Sequence, residues 1–378
     1  MSDVDLTDEQ YEKCREAGEI LAQVRDEAAD RLEVGTGYLE ISEWAEDRIR
    51  ALGGRPAFPV NVSVDNEAAH GAAGPDDART IGEEMVKLDI GVTIDGWLAD
   101  TAVTVDFSGT ADLVEAAEEA LDAALEMAGP GVETGEIGAE IESVIDGYGY
   151  NPVVNLTGHG LGHYEQHTTP NIPNRAVEQS QELSVGDVVA IEPFATDGGG
   201  KVSEGGTEEI YALESEGSVR NREARQALQQ ITEEFKTLPF ARRWLDVSRS
   251  ELALRRLKQQ GIVHGYPVLQ EEEGRLVSQR EHTLIVTEDG CEVTTRTCRS
   301  PSGESNRKGG WDPERRRWEL GGWVLGGCWV SHTAVRDSSG VVHANGRALA
   351  APLTLTDAVR LAGERRVLLA VALSDDPQ

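Results

Sequence analysis

Two aspartates, Asp89 and Asp100, stand inside apolar segments on either side of Asp95-Gly96, a strong signal for a two-residue β-hairpin loop. With that loop, residue 89 faces 102 and residue 91 faces 100, so both carboxylates lie on one face, about 7–8 Å apart. An unpaired charge inside an apolar strand is costly unless something compensates it. A divalent cation would compensate both carboxylates, and solvated aspartates on an open hairpin face are the alternative.

A glycine-rich segment at residues 155–167 holds three of the chain's eight histidines at intervals of four, His159, His163 and His167. The glycines argue against a regular helix with all three on one face, so only some of them are expected to be ligands. Further along, Glu192 and Glu281 each stand inside or at the end of an apolar strand. Singly, each is typical of a strand edge. Two Asp, one His and two Glu together suit two hard or borderline divalent ions, and not a thiolate zinc site.

With these residues in this order, the sequence resembles the methionine aminopeptidases of the pita-bread metallohydrolase family over about residues 8–296. The resemblance implies two divalent metal ions (Co, Mn, Fe or Zn), bridged by Asp100 and Glu281. The implied ligands are Asp89, Asp100, His159, Glu192 and Glu281. It also implies that His70 and His167 contact the substrate peptide and steady the tetrahedral intermediate. His163 matches no ligand position, and we interpret it as an outer or surface histidine.

The chemistry expected from this site is hydrolysis. Two bound cations would lower the pKa of a bridging water and polarise the scissile carbonyl. Glu192 is expected to carry the water proton to the leaving amine, while His70 and His167 donate hydrogen bonds to the developing oxyanion. The resemblance implies removal of N-terminal methionine from peptides and nascent chains, with Phe58 and Ile191 predicted as pocket wall. The alternatives are an Xaa-Pro dipeptidase of the same fold and a non-catalytic, ribosome-associated binding protein.

One departure from the family lies directly after His70. Type 2 members commonly continue with Tyr-Thr-Pro, whereas this chain continues with Gly71-Ala72-Ala73-Gly74-Pro75. The contribution of this loop to the pocket wall is therefore not predicted by the resemblance.

Hydrophobic periodicity predicts the elements that position these residues. Helices are expected over 8–32, 41–52, 111–128 and 137–145, and strands over 60–64, 85–94, 97–107, 188–194 and 282–287. The motif Val34-Gly35-Thr36-Gly37 returns 98 residues later as Val132-Glu133-Thr134-Gly135, between similar helices, which indicates duplicated halves. The predicted fold class is α+β. The resemblance implies a pita-bread (creatinase/aminopeptidase) fold with pseudo-twofold halves and a helical insert at about 212–275, as in type 2 members.

The net charge of the chain limits the binding partners that we expect and indicates the salt concentration in which the protein works. The 378 residues carry 35 Lys and Arg against 68 Asp and Glu, a net charge of −33 that repels nucleic acid and anionic lipid. No direct nucleic-acid binding and no membrane attachment are therefore expected. With 6 Lys against 29 Arg, the acidic chain would repel itself in dilute buffer and be screened at molar salt. We predict a cytoplasmic, halophilic protein with ribosome contact left open, and the family implies a monomer.

Composition changes after Arg296. Residues 297–378 hold 11 basic and 9 acidic residues and four of the seven Trp. This tail is either an appended small domain, with a hairpin around Asn345-Gly346, or an extension without a packed fold. The cysteines lack C-x-x-C spacing and are predicted to be reduced thiols: Cys14, Cys291, Cys298 and Cys328.

Overall fold

The computed structural model describes residues 6–296 in full and, beyond them, only the backbone of short strands. Residues 1–296 and 297–378 form two compact units. The helices of the described chain are α1 Asp8–Ala29, α2 Tyr38–Ala51, α3 Ala111–Met127, α4 Thr134–Gly147, α5 Arg222–Gln230 and α6 Ser250–Gln259. A π-helical turn, Ile231–Phe235, and a 3-10 turn, Arg242–Trp244, lie between α5 and α6. None of the described helices is long and apolar enough to cross a bilayer.

The strands of the first unit are β1 Arg55–Pro56, β2 Asn61–Val64, β3 Glu67–Ala69, β4 Met85–Ile94, β5 Trp97–Asp106, β6 Asn151–Pro152, β7 Thr157–Gly162, β8 Glu165–Pro173, β9 Val188–Ile191, β10 Phe194–Thr196, β11 Ser203–Leu213, β12 Phe240–Ala241, β13 Val263–Gln270, β14 Val277–Gln279, β15 His282–Thr287 and β16 Gly290–Val293. The longer strands of this unit are the two of the predicted hairpin, β8, and the two that flank the insert.

The β4–β5 hairpin has the predicted register. Asp89 faces Ala102 and Gly91 faces Asp100 across the two strands. Asp95 and Gly96 both adopt positive φ angles, 51° and 92°, as a two-residue turn matching the strand twist requires. The hairpin prediction is therefore confirmed, and it places both aspartates on one face.

The duplication predicted from the recurring motif is also present. In the first half α1 and α2 cover the β2–β4–β5 sheet, and their core includes Leu21 and Ile49. In the second half α3 and α4 cover the sheet formed by β7, β8, β9, β15 and β16, with Leu121 and Ile141 in the core. Each copy of the motif leads into the second helix of its half, α2 or α4. Burial of these apolar faces drives each half to form one helix layer on one sheet.

The segment between the strands β11 and β13 is the predicted helical insert, with α5 and α6 around an apolar core of its own. The sequence analysis did not predict the short strand β12 between these helices, which pairs with β11, Tyr211 facing Phe240. The first helical stretch ends at Phe235, because the next residue, Lys236, takes a positive φ of 57°. At its other end β13 pairs with β3 of the body, Leu269 facing Ala69.

The second unit is described only through strands. They are β17 Gly310–Asp312, β18 Arg317–Glu319, β19 Trp323–Leu325, β20 Cys328–Val330, β21 Thr333–Arg336, β22 Val342–Ala344 and β23 Arg347–Leu349. β22 and β23 pair with Ala344 facing Arg347, which is the predicted hairpin around Asn345-Gly346. Among the cysteines with described side chains, Cys14 and Cys291 are free thiols.

Candidate metal centre and substrate site

The five predicted ligands come from paired strands or from the residues that end them. Asp89 and Asp100 lie on β4 and β5, and His159 lies on β7. Glu192 follows the last residue of β9, and Glu281 precedes the first residue of β15. β7 and β15 both pair with β9, His159 facing Ala190 and His282 facing Ile191. These pairings bring His159, Glu192 and Glu281 close to one another. All five line one cavity of about 290 Å³.

Three of the five form a compact cluster. One ligand atom each from Asp100, His159 and Glu281 lies within 4.8 Å of the others, and all three residues are buried. His159 Nε2 is 3.9 Å from an Asp100 carboxylate oxygen and 3.7 Å from Glu192 Oε1. Asp89 joins the set through a hydrogen bond that it shares with Asp100.

The carboxylates repel one another in a setting with little water. Burial raises the pKa of Asp89 to about 7, against an ordinary value of 3.8. Burial and then the charge of neighbouring carboxylates raise the pKa of Asp100, Glu192 and Glu281 well above the usual range. Asp89 Oδ1 and Asp100 Oδ1 are buried without a hydrogen-bond partner. Buried polar atoms are normally paired, so these orphaned acceptors fit a bound cation.

His159 is prepared to act as a ligand. Its Nδ1–H donates to the carbonyl of Gly160 at 3.3 Å, because a carbonyl oxygen can only accept. Burial, followed by the neighbouring His167, lowers the pKa of His159 to about 3, so the ring is neutral. The lone pair of Nε2 then faces the carboxylates, as expected for a metal-binding imidazole oriented by its other nitrogen.

The two predicted substrate contacts stand on the cavity wall. His167 lies edge-on to His159, with ring centroids 4.4 Å apart, and is exposed to the cavity. His70 Nδ1 lies 3.2 Å from the carbonyl oxygen of Pro267, and Tyr266 packs edge-on against the His70 ring. Burial lowers the pKa of His70 to about 4. Burial also lowers the pKa of His167, so both imidazoles are neutral near pH 7. His163 is exposed at the surface against Trp97, as predicted.

The apolar wall differs from the prediction in one residue. Phe58 lines the cavity, but Ile191 is fully buried in the core of the second half and does not line it. A strand places alternate side chains on opposite faces, and Ile191 takes the core-facing position. Phe58 packs on the backbone of Gly91, where a Cβ would lie 2.2 Å from a ring carbon. Residues 71–75 do not line the cavity either.

Several side chains that support the cluster were not predicted. Gln166 Nε2 donates to Asp100 at 3.4 Å, and Gln279 Nε2 donates to Glu192 at 3.4 Å. Thr283 Oγ1 accepts a hydrogen bond from the Asp100 N–H and donates one to the Asp100 carbonyl oxygen, each at 2.7 Å. Gln279 is the last residue of β14 and Thr283 lies on β15, and each is two residues from Glu281 in the sequence. This spacing of two, which in an extended chain places side chains on one face, is the sequence signal that could have identified them.

Comparisons with known proteins identify the family of this chain. Residues 12–224 match the profile of "Metallopeptidase family M24", more than half of the chain. The methionine aminopeptidase of Archaeoglobus fulgidus is 49% identical over 292 residues, which cover 77% of this chain and 100% of the relative. The methionine aminopeptidase of Methanocaldococcus jannaschii is 45% identical over 291 residues, 76% of this chain and 99% of the relative.

The chain belongs to metallopeptidase family M24. Solved structures agree on the fold. A thermophilic Arx1 gives a TM-score of 0.70 at 18% identity, covering 79% of this chain and 93% of that one. The methionine aminopeptidase of Thermotoga maritima gives 0.57 at 22% identity, covering 78% and 99%. The predicted pita-bread fold, the family and the dependence of this M24 peptidase on divalent metal are confirmed, and the metal's identity stays open.

Proposed function

We propose that this M24 peptidase removes the N-terminal methionine from peptides and nascent proteins by hydrolysing their first peptide bond. The observation that carries the proposal is the meeting of two Asp, one His and two Glu on the floor of one cavity. An apolar wall at Phe58 stands beside them and would receive the methionine side chain. Relatives named methionine aminopeptidases, which this chain matches over their full length, support the same reaction.

The five residues would hold the metal ions through their carboxylate oxygens and one imidazole nitrogen. When bound, such ions supply a hydroxide near neutral pH and polarise the scissile carbonyl. Glu192 is proposed to hold the proton taken from water and to pass it to the leaving amine. Its pKa, raised by burial and by the charge of Asp89, supports that role, because the buried carboxyl retains a proton readily. The hydrogen bond from Gln279 Nε2 orients the carboxylate and partly opposes this rise in pKa.

The role of His70 changes from the sequence expectation. Its Nδ1–H donates to the Pro267 carbonyl, and with a pKa near 4 the ring carries no second proton. Nε2 is therefore an acceptor, and we assign it the N–H of the substrate backbone instead of the developing oxyanion. This leaves His167 as the proposed donor to the oxyanion.

The two alternatives have weaker support. A prolidase from Pyrococcus furiosus shares the fold at a TM-score of 0.51, but the match covers only 66% of that chain. Every ligand type needed for two metal ions is present here, which argues against a purely binding protein.

Hydrolysis of two substrates by metal-depleted protein tests the proposal. Met-Ala-Ser and a matched Xaa-Pro dipeptide would be offered in molar KCl, with Mn, Co, Fe or Zn added back. We expect metal-dependent release of Met from the tripeptide alone. Cleavage of only the dipeptide would establish the dipeptidase alternative. No cleavage with any metal, in protein shown to be folded, would favour the binding protein.

We propose that the protein works as a monomer in a cytoplasm of high salt. The supporting observation is the acidic body: outside residues 214–262, the first 296 residues carry 14 basic against 52 acidic groups. Salt screens this repulsion, so the melting temperature should rise between dilute buffer and molar KCl. A melting temperature that stays constant or falls would contradict the halophilic assignment.

We also propose that the insert is the part of the chain that contacts the ribosome. Residues 214–262 carry 10 basic and 7 acidic groups, opposite in sign to the rest of the body. Arg222 and Arg225 are exposed on α5. Cosedimentation with ribosomes should weaken in Arg222→Glu/Arg225→Glu, while Met release from a tripeptide stays within about twofold. Equal cosedimentation of both proteins would reject the insert as the contact.

A further inference from the structure

One buried arginine of the insert joins three separate segments of the molecule. Arg243 lies on the 3-10 turn, and its Nη2 donates to Glu46 Oε1 on α2. Its Nη1 donates to the carbonyl oxygen of Ala73 at 3.2 Å, in the loop that follows His70. Trp244 Nε1 donates to the second Glu46 oxygen at 2.8 Å. We call Arg243, Glu46 and the Ala73 carbonyl the Arg243 clamp.

The clamp is withdrawn from water. Glu46 is 2% exposed, and the side chain of Arg243 is 4% exposed. A buried ion pair contributes little net stability, because desolvation of both charges offsets their attraction. The planar guanidinium of Arg243 does fix the relative position of its partners, since two of its nitrogens donate to two different acceptors. The arrangement therefore specifies where the loop lies relative to α2 and the insert.

The loop itself is shaped for this close approach. A Cβ on Gly71 would lie 2.6 Å from the carbonyl oxygen of Val62, and one on Gly74 would lie 3.1 Å from Glu209. Glu209 is in turn held by both a 2.8 Å bond from Arg242 Nε and a 2.8 Å bond from Arg242 Nη2. The small residues of this loop thus let it pack between β2 and the insert.

His70 needs support from both sides. Its φ of 64° lies in the left-handed region, which a residue with a side chain holds only when its surroundings enforce it. On one side β13 enforces it, through Leu269 facing Ala69 and through the Pro267 carbonyl. On the other side β2 holds the residue next to His70, since the Gly71 N–H donates to Ser63 Oγ at 3.1 Å and the Gly71 carbonyl accepts from the Val62 N–H. Ala72 forms a bridge with Asn61, and Arg243 then holds Ala73, where the loop leaves β2.

We propose that Arg243 is a positioning residue for the reaction: together with the contacts of Gly71 and Ala72 to β2, its grip on Ala73 fixes the loop after His70 and so keeps the His70 imidazole on the wall of the cavity. The inference rests on the proposed aminopeptidase function and on the role assigned to His70. It makes the insert a structural part of the substrate site, held to the body at β13 and at the clamp.

The test removes the clamp without leaving a lone buried charge. Glu46→Gln/Arg243→Met keeps an oxygen for Trp244 and replaces the guanidinium with an apolar side chain of similar length. We expect kcat for Met-Ala-Ser to fall 10- to 100-fold, roughly the effect of misplacing a contact by about 1 Å, with KM within about threefold. Arg243→Lys keeps the charge beside Glu46 but cannot reach both acceptors, and we expect an intermediate loss. A kcat within twofold of wild type in both variants would overturn the proposal.

A cycle with His70→Ala separates positioning from general damage. If the clamp acts through His70, Glu46→Gln/Arg243→Met should lower kcat by less than twofold once His70 is gone. An equal fractional loss in both backgrounds would mean a structural effect and reject the proposal. The control is Glu251→Gln/Arg255→Met, which removes an exposed ion pair of α6 and should leave kcat unchanged in both backgrounds.

Amide hydrogen exchange provides a readout that does not need activity. Exchange at residues 70–74 should rise at least tenfold in Glu46→Gln/Arg243→Met and stay at the wild-type level in Glu251→Gln/Arg255→Met. Unchanged exchange would reject the clamp whatever the reaction is. A wild-type protein that releases no methionine would instead reject the proposed function, and the exchange experiment would still decide whether Arg243 holds the loop.

Discussion

The floor and the rim of the cavity are built in different ways. We use floor for the five proposed ligands and rim for Phe58 and His70, which line the cavity, together with the insert and the loop 71–75, which lies behind the cavity wall. Floor residues sit on paired strands or directly at their ends, where backbone hydrogen bonds set the position of each side chain. Rim residues sit on loops that are held by side chains from elsewhere, such as Arg243 reaching Glu46 across 197 residues of chain. Floor changes should therefore affect metal binding, whereas rim changes should affect turnover with the metal bound.

The largest effect is expected at the floor. In Asp100→Asn, kcat should fall by at least about 10³-fold, because the metal's charge supplies several kcal/mol to the transition state and each ~1.4 kcal/mol is a factor of ten. The metal-depleted variant should melt higher than metal-depleted wild type, since a buried, repelled carboxyl has been neutralised. Calorimetry with and without Mn²⁺ measures the melting temperatures of the variant and of wild type. A normal metal-induced rise in melting temperature would break the assignment of Asp100 to the floor.

At the rim, His70→Ala should lower kcat about 10²-fold, the lower end of what a positioned hydrogen-bonding group contributes. The rise in melting temperature on adding metal should equal that of wild type, because His70 is not a proposed ligand. His163→Ala is the matched control, an exposed histidine outside the cavity, and its kcat should stay within about twofold. Loss of metal binding in His70→Ala would remove the distinction between floor and rim.

Phe58→Ala sharpens the comparison on the apolar side of the rim. Removing the ring leaves the methionine side chain without a packing partner, so kcat/KM for Met-Ala-Ser should fall roughly 20-fold. Discrimination against a Leu-Ala-Ser substrate should fall as well, because the pocket is wider. Steady-state rates on the two peptides give both numbers, and unchanged selectivity would show that the side-chain pocket lies elsewhere.

The smallest effect concerns the pH dependence of metal binding. With the pKa of Asp89 raised to about 7, the metal-free floor holds protons near neutrality that a cation must displace. The metal affinity should therefore be about tenfold weaker at pH 6 than at pH 8. His159 and His70, with pKa values near 3 and 4, stay neutral over this range and add no slope. Isothermal titration at both pH values checks the prediction, and equal affinities would contradict it.

The pH dependence of folding has the opposite sign from that of an ordinary salt-bridged acid. A carboxyl whose folded pKa lies above its unfolded value favours the folded state at low pH and loses this contribution as pH rises through the folded pKa. The metal-depleted protein should therefore lose stability relative to the Asp100→Asn variant as the pH rises above 3.8, the ordinary pKa of the Asp100 carboxyl, towards neutrality. Melting temperatures of the two proteins, compared at a mildly acidic and at a neutral pH, measure this difference.

Much of the floor was predictable because strand geometry is local. The Asp95-Gly96 turn fixed the register of β4 and β5, and alternation then placed Asp89 and Asp100 together. The recurring motif before α2 and α4 revealed the two halves in the same way. Ile191 was misassigned because its segment is apolar on both sides, and periodicity does not say which face of such a strand meets the core. The insert is helical as predicted, but its two-residue strand β12 was not predicted, because two residues are too few to show an alternating pattern.

The sequence by itself determined the hairpin and the duplicated halves, since each follows from spacing along a few neighbouring residues. The five proposed floor residues were assigned through the resemblance to the family, not through spacing alone. Only the tertiary structure decided that His70 presents Nε2 as an acceptor, because Pro267 reaches Nδ1 from a strand nearly 200 residues away. It also decided that Arg243 holds the loop after His70, through a buried fork whose two acceptors lie on different segments. Such contacts depend on distances between remote parts of the chain, which no local pattern encodes and which form only when the core closes.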